Sequence, residues 1–204
     1  MTPRTPRRAT AVLVCAALAA AGVAGCVAED GEGRASGEKR GSGSADGITA
    51  IARGERSAAP ALSAESVTGQ RIRMRDFRGE VVVLNVWGSA CAPCRAEAPA
   101  LRATARDTRG DGVRFVGINR DRDAGNARGF ERKHKVPYPS WYDPDGQLVR
   151  QFPRDMLMPQ AIPNTLVIDR DGKIAVRILA KVTAGDLRRA LKPVLAERPS
   201  QRAR

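Results

Sequence analysis

The 204-residue chain carries 35 Lys and Arg against 22 Asp and Glu, a net charge of +13, with four cysteines, one histidine and only 4% aromatic residues. Its basic charge is scattered and lacks the aromatic interleaving that single-stranded nucleic acid binding requires, so nucleic acid is excluded as a partner. One histidine and few thiols fall short of the roughly four N or S ligands of a zinc site, so no metal is expected.

The N-terminal segment has the layout of an export signal. Arg4, Arg7 and Arg8 form a basic start, and residues 9–25 are apolar or small throughout. The segment ends in Val23-Ala24-Gly25-Cys26, which resembles the lipobox of bacterial lipoproteins. That resemblance implies cleavage after residue 25 and a lipid on the Cys26 thiol. Cleavage would discard Cys15 and three arginines, lowering the net charge from +13 to +10 (13 − 3). The alternative is an uncleaved anchor, since residues 9–28 approach the roughly 20 apolar residues that span a bilayer. Either way the rest of the chain lies outside the cytoplasmic membrane, where disulfides persist.

Residues 26–58 are rich in Gly, Ser, Glu and Arg and cannot bury enough apolar surface to offset their ordering entropy; a flexible tether is expected. One domain follows over residues 59–197, with a disordered tail at 198–204. Within it, SVTGQRIRM predicts a short hairpin turning at Gly69. EVVVLNVW predicts a buried central strand, being β-branched and without alternation. A helix is expected from Cys91 to about Asp107, broken or kinked at Pro99. GVRFVGIN reads as a second buried strand and AGNARGFERKHK as a surface helix, His134 being a solvated helix-end residue. NTLVID and KIAVRILAKV flank Arg170-Asp171-Gly172, whose Asp-Gly step predicts a hairpin. TAGDLRRALKPVLAE closes the domain as an amphipathic helix with Thr183 as N-cap. The order predicts an α/β fold: a central mixed sheet with helices on both faces and an N-terminal hairpin extension.

The remaining cysteines form Cys91-Ala92-Pro93-Cys94, at the seam between strand and helix. A purely structural disulfide closing so short a loop would remove little unfolded-state entropy. Redox chemistry explains the position better. Unpaired N–H groups and the macrodipole at a helix start favour a thiolate at Cys91. Pro93 sits where no N–H donor is needed. Cys94 lies one turn deeper, within reach of the Cys91 sulfur but shielded. The pattern is an exposed attacking thiol with a buried resolving thiol.

Strand–CxxC–helix with Trp87 upstream, followed by Ile162-Pro163 before NTLVID, resembles the thioredoxin superfamily. The string NVWGSACAPCRAEAP is similar to its membrane-anchored extracytoplasmic branch, the TlpA-like and ResA-like thiol-disulfide oxidoreductases. The resemblance covers residues from about 59 to 197. It implies a thioredoxin-like fold, Cys91 as nucleophile, Cys94 as resolver and Glu97 as the carboxylate of this branch. It also implies Pro163 as a cis-proline facing the disulfide, whereas X-Pro bonds in general are cis in only about 5–6% of cases. That proline would block metal capture and offer the Ile162 backbone to a partner chain. Trp87 and Ile162 are thus the expected substrate-binding positions, although an aromatic on a central strand is more often core. Two departures stand out: Ala90 replaces the branch's tryptophan before the first cysteine, and Asn85 stands where thioredoxin has a buried aspartate.

The expected activity is thiol-disulfide exchange with protein disulfides, without a cofactor, at the outer face of the cytoplasmic membrane. Ala-Pro between the cysteines lacks the histidine of strongly oxidising relatives, which points to a reductant. The resemblance implies apocytochrome c or copper-site thiols as substrates and a membrane thiol reductase as donor. A surface copper chaperone is the alternative, with Met156 and Met158 nearby but expected to pack. A peroxiredoxin-like peroxidase fits less well, because Gly88 occupies the place of its Thr or Ser three residues before the first cysteine.

Overall fold

A computed structural model of the chain describes residues 47–158 and 160–199. The expected signal segment with Cys15 and Cys26, the tether up to residue 46 and residues 200–204 lie outside the described residues.

Among the described residues, eight strands and three α-helices make up the fold. The strands are β1 (Ile48–Ala50), β2 (Ser63–Glu65), β3 (Arg71–Arg73), β4 (Val81–Trp87), β5 (Val113–Asn119), β6 (Ser140–Tyr142), β7 (Asn164–Ile168) and β8 (Ile174–Ile178). The helices are α1 (Ala92–Asp107), α2 (Ala124–His134) and α3 (Ala184–Ala196). Six strands form one sheet in the order β1-β8-β7-β4-β5-β6, while β2 and β3 pair as a separate hairpin. β4, β5 and β6 run parallel, and β7, β8 and β1 add antiparallel neighbours. The mixed sheet anticipated from the order of elements is thus present.

β4 lies between β7 and β5 and all seven of its residues are buried, as a strand covered on both faces should be; Asn85 is its one polar member. Each such Val or Leu contributes about 1.5–3 kcal/mol over an exposed position. On one face, Val81, Val83, Phe115 and Val167 pack with Leu101 of α1 and Leu187, Leu191 and Val194 of α3. At the end of the same face, Trp87 packs with Cys94 and Ala98 of α1 and with Ala127 and Phe130 of α2. These three α-helices therefore share one face. The other face, with Val82, Leu84, Val86, Ile118 and Leu166, is covered by the hairpin residues Leu62 and Ile72 and by Leu148, Val149, Phe152 and Leu157. The helical cover there takes the form of 3-10 turns, Met74–Phe77 and Val149–Gln151. Trp141, wholly buried, fastens the hairpin to the sheet by donating from Nε1 to the Ile72 carbonyl at 3.0 Å.

Three differences from the sequence reading have local causes. The domain begins before residue 59: β1 pairs with β8, and Ala58 bridges Lys173. Arg56 then locks this entry segment, donating to Asp169 Oδ2 at 2.8 Å and through two nitrogens to Glu197 at 2.6 and 2.7 Å. α1 runs unbroken through Pro99, because Cys94 and Ala98 on one side and Leu101 on the other are all anchored in the core. Finally, β6 adds an edge strand where none was expected. Gly69 turns the predicted hairpin at φ +84°, a conformation natural to glycine.

Candidate active site

The site is built where β4 hands over to α1. Gly88 follows the strand, and a Cβ there would lie 3.1 Å from Ile162 Cδ1, a tight contact that a larger residue could keep only by moving the Ile162 side chain. Cys91 is the N-cap of α1 and Pro93 falls in the first turn, as the sequence predicts. Cys91 and Cys94 are joined as a disulfide with an S–S distance of 2.06 Å. The Cys94 backbone N–H donates to Cys91 Sγ at 3.1 Å. On reduction that N–H and the free helix start would stabilise a thiolate at Cys91. The sulfurs differ in access, for Cys91 is half-buried while Cys94 is 2% exposed.

The turn before the cysteines is fixed by groups that sequence reasoning missed. Asp121, just beyond β5, accepts the Ser89 N–H with both carboxylate oxygens, at 2.9 and 3.1 Å. Asn119 aims that carboxylate by donating from Nδ2 at 2.9 Å and accepting the Asp121 N–H at 3.1 Å. Arg95 closes the turn from α1, donating to the Ser89 carbonyl at 2.9 Å. Removing the acceptor leaves two donors unpaired. Asp121→Ala should therefore cost about 1.5–3 kcal/mol of stability, the scale of hydrogen bonds to charged groups, measured by the denaturant midpoint. Asp121→Asn, which retains one acceptor oxygen, should cost less.

Opposite the disulfide, the Ile162–Pro163 peptide bond is cis. The Ile162 carbonyl oxygen lies 3.7 Å from Cys91 Sγ. Asn164, the first residue of β7, secures this loop by donating from Nδ2 to the Met158 carbonyl at 3.2 Å and to the Ala161 carbonyl.

Glu97 is the buried charge of the site, only 1% exposed. Its oxygens accept from Asn85 Nδ2 at 2.9 Å and from the Val182 N–H at 3.0 Å. Burial pushes the carboxyl up to about 7, against the pull of those two donors and of the Lys181 charge. Asn85 also donates to Thr165 Oγ1 at 3.1 Å, which fixes its amide orientation. Asn85, Cys94 and Tyr138 line a small cavity of about 10 Å³ together with Trp87 and Phe130. That is roughly the space of one water molecule. Burial, with the charges of Glu97 and Glu131, raises the Tyr138 phenol, so it remains a protonated donor.

Two expectations change. Trp87 is 3% exposed, stacked on Phe130 at a centroid distance of 4.5 Å, with Nε1 donating to Ser140 Oγ at 3.2 Å. It supports Cys94 from behind instead of meeting a substrate; a ring on a fully buried strand has no route to the surface. His134 is not fully solvated: its ring lies 4.3 Å from that of Phe130 and its Nε2 is buried without a partner. Ile162, by contrast, is half-exposed beside the disulfide. Met156 packs on the core as expected, whereas Met158 is 50% exposed.

The AhpC/TSA family model matches residues 56–177. The thiol-disulfide oxidoreductase ResA of Bacillus thuringiensis subsp. konkukian is 26% identical over 136 residues, covering 67% of this chain and 76% of the relative. ResA of Bacillus subtilis is 29% identical over 129 residues, 63% of this chain and 69% of the relative. Among solved structures, a secreted thiol-disulfide isomerase from Corynebacterium glutamicum superposes with a TM-score of 0.67 at 29% identity, covering 75% of this chain and 94% of the neighbour. A DsbF homologue from Corynebacterium diphtheriae gives 0.65 at 31% identity, covering 73% and 94%.

Proposed function

The chain belongs to the AhpC/TSA family and is a thiol-disulfide oxidoreductase, and we propose that it reduces disulfides of partner proteins outside the cytoplasmic membrane. The observation that carries this reading is the Cys91–Cys94 disulfide at the start of α1, with one accessible cysteine and one buried, and buried Glu97 three residues further along the same helix. Reduced Cys91 attacks a sulfur of the partner disulfide; the partner's other sulfur leaves as a thiolate, and a mixed disulfide forms. Cys94 then loses its proton to Glu97 and attacks Cys91 Sγ. The second partner sulfur leaves, and the Cys91–Cys94 disulfide remains. Two electrons have moved to the partner.

During the mixed disulfide the Ile162 backbone beside cis-Pro163 pairs with the partner segment, strand to strand. A membrane thiol reductase restores the dithiol, and a lipid on Cys26 holds the protein at the outer face of the membrane. Proteins of cytochrome c or copper-site maturation are the proposed substrates.

Direction is the testable part. Equilibration with glutathione or dithiothreitol buffers should give a potential nearer about −270 mV, the value of a reducing thioredoxin, than about −120 mV, that of a strong disulfide donor. A result at the oxidising end would make the protein a source of disulfides instead.

A further inference from the structure

The surface beside the disulfide carries mainly one sign of charge. Arg95 follows Cys91 by one helical turn, its backbone N–H donating to the Cys91 carbonyl at 3.1 Å. Arg102 stands two turns further along α1 and donates from Nη1 to the His134 carbonyl at 3.4 Å, which brings the end of α2 alongside. α2 ends in Arg132-Lys133-His134, and Lys135 follows. Burial and the charges of Lys133, Arg102 and Arg95 together depress the His134 imidazole, so these three cations share its neighbourhood. Arg95 and Lys133 are exposed and Arg102 is half-buried.

The nearby carboxylates are bonded elsewhere or withdrawn from the surface. Glu97 is buried under α1 against Asn85 and Val182. Asp121 holds the Ser89 N–H. Asp123 caps α2 through the Gly125 N–H, and Glu131 is half-buried, its carboxyl raised by burial and its Oε1 enclosed without a partner. Among the described residues, none forms an ion pair with Arg95, Arg102 or Lys133. Like charges gathered at one place without counter-charge repel one another, and an incoming acidic segment would relieve that repulsion.

We propose that Arg95, Arg102 and Lys133 form a docking flank that selects partner proteins whose reducible disulfide is bordered by acidic residues. The flank begins one turn from the accessible sulfur, so a partner chain joined to Cys91 and paired with the Ile162 backbone leaves the site beside these cations. This rests on the reading of Cys91 and Cys94 as a reductant of protein disulfides, and it names the class of protein reduced. Charge of this kind acts mainly on the encounter rate, which it raises by about 10–10³-fold, and the effect falls as salt screens it.

The test uses the reduced protein and three peptides of equal length with one disulfide, flanked by Asp and Glu, by Ser and Asn, or by Lys. Stopped-flow second-order rate constants at low salt should favour the acidic peptide over the basic one by about 10²-fold. The preference should shrink to within about threefold near 0.5 M salt. R102E/K133E should invert the order. Rates within about twofold for all three peptides, or an unchanged preference in R102E/K133E, would overturn the docking flank. So would binding to anionic phospholipid vesicles that is lost in R102E/K133E without any preference among peptides. Neutral 2-hydroxyethyl disulfide separates the two layers of argument: if it and all three peptides go unreduced, the reductant reading itself fails.

Discussion

Cys94→Ser should stop turnover and leave the partner covalently attached. The variant retains Cys91 at the helix N-cap, with the backbone N–H three residues on still aimed at its sulfur. The first exchange should therefore proceed at close to the normal rate. The second cannot, because the introduced hydroxyl is no substitute for a thiolate nucleophile. Multiple-turnover reduction of a protein disulfide should fall by more than about 10³-fold, while mass spectrometry finds a stoichiometric mixed disulfide on Cys91. Cys91→Ser should lose turnover equally but trap nothing, because Cys94 is enclosed by Trp87, Ala98 and Phe130. A mixed disulfide on Cys94 in that variant would reverse the assigned roles.

Glu97→Gln should slow the resolving step by roughly 10²-fold, the lower end for general-base catalysis. A buried thiol resists ionisation, and Glu97 is the carboxylate one turn along the same helix. With its carboxyl pushed up to about 7, it can take a proton near neutral pH and surrender it afterwards. Resolution in the wild type should accelerate as pH rises through about 7, where Glu97 becomes the base. The variant should accumulate mixed disulfide in stopped-flow traces and recover only at higher pH, where Cys94 ionises unaided. Equal rates across pH 6 to 9 would reduce Glu97 to a structural residue. Stability should follow the same carboxyl. The native state holds a proton that the unfolded chain loses from about 4.5 upward. Stability therefore falls as pH rises from about 4.5 to about 7 and stays lower above. Glu97→Gln should remove that slope.

The elements read most readily from sequence are those whose signals are local. β4 is legible because a strand buried on both faces is apolar at nearly every position, Asn85 being the exception. The β7–β8 hairpin is legible because Gly172 supplies φ +76° between them. α3 begins where Thr183 and Asp186 form a reciprocal capping box. β1 and β6 escape notice because three residues are too few to show a period, and each is a strand only through its neighbour. The candidate site divides the same way. The two cysteines, Pro163 and Glu97 are visible as spacing and resemblance. The acceptor role of Asp121 and the Val182 donor to Glu97 join segments 32 and 85 residues apart, and no local pattern announces them.

Both margins of the sheet are short: β1 at one side and β6 at the other contribute three residues each. An unpaired strand invites another chain to continue the ladder, which is the route to amyloid-like stacking and edge-to-edge aggregation. By laying β1 across Ile178 to Val176, the chain spends its own entry segment as a guard on β8, which would otherwise offer five apolar or half-buried residues, Ile174–Ile178, as a template. If partner chains pair with the backbone beside Pro163, as proposed, the short guarded margins of this sheet leave them little other open ladder there.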